Sequence, residues 1–149
     1  MAPNEIKQII EIKATPKVVF KAISNPEDLI EWFPDSATLE QKIGGKFKLS
    51  FLKDSKKPKM KMDRDFINEG RVLEIIPGKK LAHTWHWTEL PDFPETTVTW
   101  ELEPFGDNMT RLTLTHVGFT GKEKGPASME EHIKGWSFFL NELILYCKN

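Results

Sequence analysis

Cysteine is nearly absent from this sequence, with Cys147 as the single example among 149 residues. One cysteine cannot form a disulfide within the chain, and free thiols are typical of reducing compartments. The first residues contain no apolar signal-peptide core, and no run approaches the roughly 18 apolar residues of a membrane-spanning helix. We therefore expect a cytoplasmic protein without a membrane span.

An excess of charge of either sign is also lacking. The 21 basic and 22 acidic residues leave a net charge of -1, whereas nucleic-acid-binding domains are usually basic. Nucleic acid is therefore not an expected partner. With 39% hydrophobic and 29% charged residues, the composition is that of a globular protein. A chain of this length is most simply one domain over residues 1–149.

Metal, phosphate and nucleophile motifs are missing as well. His83 and His86 are three residues apart in a predicted strand, which places them on opposite faces and prevents joint coordination of one ion. The spacing of Gly118, Gly121 and Gly125 fits neither a dinucleotide-binding loop nor a P-loop, and the sequence has no nucleophile elbow. The sequence thus predicts no metal, no cofactor and no clear catalytic residue.

What the sequence does contain is a long amphipathic segment from Ser128 to about Lys148. Apolar residues recur there at alternating steps of four and three, which is the spacing of one face of an α-helix. This stripe comprises Met129, Ile133, Trp136, Leu140, Leu143 and Cys147. Ser128 and Glu131 have the spacing of a capping box, which marks the start of a helix.

Upstream of that helix, alternating apolar and polar residues predict a series of strands joined by short turns. The strands are predicted at residues 6–13, 38–41, 46–52, 65–76, 80–88, 96–103 and 109–118, and two short helices at 16 to about 24 and at 27–32. Strands joined by short turns are antiparallel, and alternation gives them one apolar face. The predicted fold class is α+β, with a curved antiparallel sheet of about six or seven strands wrapped around the C-terminal helix.

Several short motifs in this order resemble those of a known family. The first motif is Asn25-Pro26-Glu27 followed by Trp32, and the second is a turn into a strand at Gly44-Gly45-Lys46-Phe47. The third is Gly70-Arg71-Val72-Leu73-Glu74-Ile75-Ile76-Pro77, followed by Leu81 and Thr84-Trp85. The fourth is Thr113-Leu114-Thr115-His116-Val117-Gly118-Phe119, followed by Gly135-Trp136 and Leu140. Across essentially its whole length, the sequence resembles the activator-of-heat-shock-protein-90-ATPase-homologue-like family. That family belongs to the START/SRPBCC superfamily, which includes the Bet v-like helix-grip proteins.

The resemblance implies a helix-grip fold, in which a curved sheet surrounds a long C-terminal helix and often leaves a cavity between them. Relatives include carriers of lipids, hormone receptors and polyketide cyclases. We therefore expect non-enzymatic binding of an apolar or amphipathic small molecule, of the lipid, sterol or polyketide class. The residues expected to line the cavity are Trp32, Phe47, Phe51, Val72, Glu74, Trp85, Trp100, Leu114, His116, Ile133, Trp136 and Leu140.

Packing in a filled core is the competing interpretation of these aromatic side chains, and two other functions stay open. His116 is in phase with Leu112 and Leu114, and Glu74 is in phase with Val72, so both polar groups are predicted to point inward. As an acid–base pair they would suit a cavity enzyme of the cyclase or hydrolase type.

A protein-interaction module that acts on heat-shock protein 90 is the second alternative. It would use a lysine-rich surface to meet an acidic partner, although a solvated loop is the simpler interpretation of the same lysines. The residues of this surface are Lys53, Lys56, Lys57, Lys59 and Lys61. The sequence does not predict the oligomeric state.

Overall fold

The computed structural model describes residues 4–55, 62 and 64–148 of the chain. Its elements are β1 (Ile6–Ile12), α1 (Pro16–Ser24), α2 (Pro26–Trp32), β2 (Ser36–Leu39), β3 (Lys46–Phe51), β4 (Phe66–Ile76), β5 (Lys80–Trp87), β6 (Thr96–Pro104), β7 (Thr110–Val117) and α3 (Met129–Lys148). A short 3-10 helix at Gly125–Ala127 precedes α3. The predicted elements are therefore all present, with ends that differ by at most two residues.

The strands form one seven-stranded sheet in the order β1-β7-β6-β5-β4-β3-β2. Every neighbouring pair is antiparallel, as short connections between successive strands require. The first strand, β1, lies at one edge of the sheet and pairs with the last strand, β7. The long α3 follows β7 in the chain. This architecture confirms the predicted α+β helix-grip fold.

Side-chain caps fix the two short helices. The hydroxyl of Thr15 accepts a hydrogen bond from the backbone N–H of Val18, and the side-chain oxygen of Asn25 accepts one from that of Glu27. Each cap satisfies a backbone donor that the helix itself leaves unpaired. Asn25 ends α1 and starts α2, which turns the chain between two consecutive helices within one residue.

Alternation in the strands places one set of side chains against α3. On β7, Leu112, Leu114 and His116 are fully buried, whereas the residues between them are half-buried. Trp136 and Leu140 of α3 are equally buried. Burying one leucine in such a core contributes about 2 kcal/mol relative to leaving it in water.

The start of α3 differs from the prediction. Ile133 is 42% exposed and His132 is the buried residue of that turn. The residue that shares the inward face with Trp136 one turn earlier is therefore His132, four positions before it, and not Ile133, three positions before it. Ser128 does cap the helix, since its hydroxyl accepts the N–H of Glu131. The Glu131 carboxylate pairs with Lys134 at 3.1 Å, so only one half of the capping box forms.

Glu74 also differs from the prediction, which had placed it on the inner face. The pairing of β4 with β5 shifts register between Val72 and Glu74, and a β-bulge of this kind changes which face the following residues occupy. The Glu74 side chain is 44% exposed and lies 3.0 Å from the ammonium of Lys80. It is a surface ion pair and does not point toward the interior.

Among the residues that the structure describes, no helix is long and apolar enough to cross a membrane. Within the same residues, no group of three or more potential metal ligands is found.

Candidate functional site

A cavity of about 800 Å³ lies between the start of α3 and the ends of β3, β4 and β5. Its walls are mainly aromatic. The aromatic lining residues are Phe33, Phe51, Phe66, Trp85, Trp87, Trp136 and Phe139, with His132 beside them. A volume of this size is within the range of small-molecule sites, which are usually apolar with few polar groups.

The fold brings these rings together from β3, β4, β5, α3 and the end of α2. Phe33 immediately follows α2, and Phe51 on β3 is the register partner of Phe66 on β4. Phe139 on α3 bridges them, with ring centroids 4.9 Å from Phe33 and 5.7 Å from Phe51. Edge-on and tilted aromatic contacts at these distances are attractive and hold rings in fixed orientations. The wall is therefore a connected structure and does not depend on one element.

Three of the residues predicted to line a cavity do line this one, namely Phe51, Trp85 and Trp136. Seven others are buried in the packed interior away from it: Trp32, Phe47, Val72, Trp100, Leu114, His116 and Leu140. Glu74 and Ile133 lie at the surface, as described above. The space between sheet and helix is thus filled over much of its length and open at one end.

Trp100 shows how the rest of that space is filled. Its ring packs edge-on against Trp136 at 5.5 Å and against Trp32 at 6.4 Å. Only 1% of Trp100 is exposed. These rings close the interior beneath the cavity, so the competing interpretation of a filled core holds for Trp32 and Trp100.

His116 is held by hydrogen bonds on both ring nitrogens. The Trp136 indole N–H donates to Nδ1 at 3.0 Å. The Thr96 hydroxyl donates its single hydrogen to the backbone oxygen of Trp85 at 2.8 Å, so Nε2 of His116 must donate to Thr96 Oγ1 at 2.7 Å. Burial, together with the nearby His132 and His83, holds the pKa of His116 well below its usual range. His116 is therefore a neutral structural side chain with no nitrogen free to act as a general base.

The same arrangement occurs at two more buried histidines. Trp100 donates its indole N–H to Nε2 of His83 at 3.1 Å, and Trp87 donates to Nε2 of His132 at 2.9 Å. The other ring nitrogen, Nδ1, lies within hydrogen-bond distance of a backbone carbonyl oxygen, that of Thr84 at 3.0 Å for His83 and that of Ser128 at 2.9 Å for His132. Because a carbonyl oxygen only accepts, Nδ1 carries the proton in both histidines. Burial lowers the pKa of His83 to about 4 and also lowers the pKa of His132.

The predicted acid–base pair is not formed. Glu74 is at the surface beside Lys80, whereas His116 is buried and saturated with hydrogen bonds. Cys147 is buried as well, and burial raises the pKa of its thiol to about 11. None of these three groups has the position or protonation state that catalysis in the cavity would need.

The mouth of the cavity is polar and acidic. Ser128, Glu130 and Glu131 lie there at the start of α3. No lysine or arginine is found among the described residues of the lining. An apolar interior with a polar rim suits a ligand that presents its polar end to water.

Sequence reasoning missed several lining residues. Trp87 alternates in phase with Trp85 and Phe139 flanks the helix stripe, so both could have been found from periodicity. Phe33 follows a helix and carries no periodic signal. His132 was missed because the helix stripe was assigned through Ile133.

Most of the predicted lysine surface lies outside the described residues, namely Lys56, Lys57, Lys59 and Lys61. Lys53 is described and is exposed. Its backbone N–H donates to the Asp65 side chain at 2.8 Å, which closes the base of the loop between β3 and β4.

Comparison with known proteins gives a family-model match and several similar folds. The model described as "Activator of Hsp90 ATPase homolog 1-like protein" matches residues 13–147. A sequence search of curated proteins returns no match. A solved protein of Chromobacterium violaceum is 22% identical with a TM-score of 0.81, and the alignment covers 99% of both chains.

Two further solved structures come from proteins with a named role or biosynthetic context. An HSP90 activator from Plasmodium falciparum is 22% identical with a TM-score of 0.69, and the alignment covers 95% of this chain and 94% of that one. A protein from the dynemicin biosynthetic locus is 19% identical with a TM-score of 0.76 over 98% of this chain and 48% of that one. At these low sequence identities, the similarity to the solved structures shows a shared fold and nothing more.

Proposed function

The chain belongs to the family of activator of Hsp90 ATPase homolog 1-like proteins, and we propose that it binds an apolar or amphipathic small molecule without chemically changing it. The observation that carries this proposal is the cavity of about 800 Å³ with its wall of seven aromatic side chains. Exposed aromatic surface is costly in water, and a ligand that covers it recovers about 25 cal/mol for each Å² removed from solvent. A carrier or receptor for lipid, sterol or polyketide compounds fits this geometry.

The polar groups around the cavity support binding rather than catalysis. His132 is in its wall and His116 lies beneath it, but both are neutral and use both ring nitrogens in hydrogen bonds within the protein. A general acid or base needs a nitrogen within reach of the substrate proton. These histidines instead fix the tryptophan rings and so keep the wall rigid, which reduces the entropy lost when a ligand binds.

Native mass spectrometry of the purified protein tests this function without a guess at the ligand. We expect the wild-type protein to carry one small molecule per chain, released on denaturation and identifiable by its mass. The same peak should be weaker in Phe139→Ala, which removes a ring from the wall, and unchanged in Phe138→Ala. Phe138 contacts Phe139 at 5.1 Å but is not part of the lining, so it is a matched control.

A co-chaperone role on Hsp90 is the second candidate, and the family description together with the Plasmodium falciparum structure favours it. The exposed Lys42 and Lys46 lie at the start of β3 and the exposed Lys53 lies just past its end, so they supply positive charge at both ends of this strand, next to the edge strand β2. The test is the ATPase rate of an Hsp90 with and without this protein. Stimulation that survives Phe139→Ala would assign the function to the outer surface rather than to the cavity.

A further inference from the structure

The accessible aromatic surface of the cavity belongs mainly to Trp87 and Phe139. Among the described residues of the wall, seven side chains are phenylalanine or tryptophan, and these two are half-buried, on β5 and α3 respectively. The other five are at most 7% exposed. A molecule in the cavity therefore contacts one ring that belongs to the sheet and one that belongs to the helix.

The indole of Trp87 has a fixed position. Its N–H donates to Nε2 of His132 at 2.9 Å, and its ring packs edge-on against Trp85 at 5.2 Å and against Phe66 at 5.6 Å. Edge-on contacts at these distances are attractive and restrict the rotation of the rings. Trp87 is therefore presented to the cavity in one orientation, although it is only half-buried.

Phe139 is fixed on the helix side of the cavity. Its ring centroid lies 4.9 Å from that of Phe33 and 5.7 Å from that of Phe51. Phe51 also contacts Trp87, with ring centroids 5.8 Å apart, so one buried ring touches both half-buried rings. This continuous packing sets the distance between Trp87 and Phe139 and gives the wall a defined shape.

The volume of the cavity does not by itself select among acyl chains, sterols and planar aromatic molecules. At about 800 Å³, it has room for all three classes, since sites for small molecules usually measure about 300–1,000 Å³. A wall of rings distinguishes these classes by the kind of surface that each ligand presents. The contacts, rather than the size of the cavity, therefore define the preferred class.

Aromatic rings in fixed positions favour a planar aromatic ligand. A contact between two aromatic rings is more favourable than burial of the same area alone, whereas a saturated ring or chain gains only the burial. A flexible acyl chain also loses rotational freedom when it is bound. Met62, another described residue of the lining, adds a thioether, and sulfur contacts aromatic rings favourably.

We propose that the cavity selects a planar aromatic ring system over an acyl chain or a sterol, and that Trp87 and Phe139 determine this specificity by contacting the bound ring from two sides. This inference rests on the proposed binding function and narrows it. Fused aromatic rings meet the requirement, whereas saturated lipids of equal size do not.

Three alcohols with the same number of carbon atoms test the proposal by calorimetric titration. β-Naphthol is planar and aromatic, decahydro-2-naphthol has the same fused skeleton in saturated form, and 1-decanol is a flexible chain. After correction for the transfer of each probe from water to octanol, we expect wild-type protein to bind β-naphthol roughly tenfold more tightly than either saturated alcohol, as two aromatic contacts would give. Equal or tighter binding of a saturated alcohol would overturn this inference and leave the binding function intact.

Phe139→Leu tests one of the two specificity residues, because leucine keeps an apolar side chain at this position and removes the ring. We expect this variant to bind β-naphthol more weakly and decahydro-2-naphthol as the wild type does, so that the preference for the aromatic probe decreases. Phe138→Leu is the matched control and should keep the full preference, since Phe138 is not part of the lining. A full preference in Phe139→Leu would overturn the role assigned to Phe139.

Nuclear Overhauser contacts in the wild-type protein give a readout that needs no variant. We expect the ring protons of bound β-naphthol to show contacts with ring protons of both Trp87 and Phe139. Binding of β-naphthol without these contacts would overturn this inference. Failure of all three probes to bind would overturn the binding function itself, and this inference with it.

Discussion

The indole N–H of Trp136 donates to Nδ1 of His116 across 3.0 Å and joins α3 to β7 in the middle of the interior. Because the other nitrogen of His116 is bonded to Thr96, the histidine has one tautomer and one orientation. The Trp136 ring then faces the cavity in a fixed position. One hydrogen bond thereby couples the packing of the helix to the shape of the candidate binding site.

We expect Trp136→Phe to destabilise the fold more than Trp85→Phe. Both side chains are buried, at 2% and 3% exposure, and both substitutions remove the same atoms. Only the Trp136 change leaves a buried nitrogen of His116 without its donor, which costs about 1–3 kcal/mol more. Urea unfolding of the two variants measures the difference, and equal loss of stability would show that the bond to His116 contributes nothing.

Stability should fall as the pH falls below about 6.5. Burial lowers the folded-state pKa of His83 to about 4 and also lowers those of His116 and His132, whereas in the unfolded chain histidines titrate near 6.5. Below that pH the histidines of the unfolded chain bind protons, whereas the buried histidines of the folded protein stay neutral, so the free energy of unfolding decreases. The full contribution of these histidines to stability is therefore present only above pH 6.5. For His83 alone the loss down to pH 4 is roughly 3 kcal/mol.

Unfolding experiments at a series of pH values measure this slope. His83→Gln should reduce it, because glutamine can still accept the Trp100 N–H through its amide oxygen but cannot take up a proton. A slope that stays the same in His83→Gln would mean that this histidine is not the buried neutral group described here.

Asn68→Leu should raise the free energy of unfolding by about 1–2 kcal/mol, because it replaces an unpartnered buried amide with an apolar group of similar size. Most buried substitutions destabilise, so a gain would be distinctive. Thermal and urea unfolding check it, with the exposed Asn141→Leu as the control expected to change stability by less than about 0.5 kcal/mol. Destabilisation by Asn68→Leu would mean that the carboxamide has a structural partner in the folded protein.

Ser128→Ala should destabilise the protein by about 1 kcal/mol through loss of the helix cap. Ser137 lies in the middle of the same helix, is exposed, and accepts only an exposed hydrogen bond from the Gln8 side chain at 3.3 Å, so Ser137→Ala is the comparison and should cost less than Ser128→Ala. Circular dichroism during urea unfolding measures both. Equal effects would show that the first turn of α3 does not depend on its cap.

Local patterns in the sequence were sufficient to predict the architecture. Alternation on β7 gave Leu112, Leu114 and His116 as inward residues, and all three are buried. Such patterns work because the period of a strand or helix decides which face a side chain occupies. The predicted family resemblance was confirmed by the family model.

The interior polar groups could not be predicted in the same way. The bulge after Val72 moved Glu74 to the surface, and nothing in the local pattern of β4 marks that extra residue. The pairing of tryptophans with histidines depends on contacts between residues such as Trp87 and His132, 45 positions apart. Whether the space beside them is filled or open depends on side-chain packing across elements, which periodicity does not encode.

Titration with β-naphthol as a small aromatic probe, followed by tryptophan fluorescence, is the decisive test of binding, because Trp85, Trp87 and Trp136 all line the cavity. We expect a saturable change in fluorescence at one ligand per chain, with an affinity that is roughly tenfold weaker in Phe139→Ala through loss of an aromatic contact and unaltered in Phe138→Ala. A linear, unsaturated response that is the same in wild type and both variants would show that this probe does not bind in the cavity and would contradict the proposed binding function.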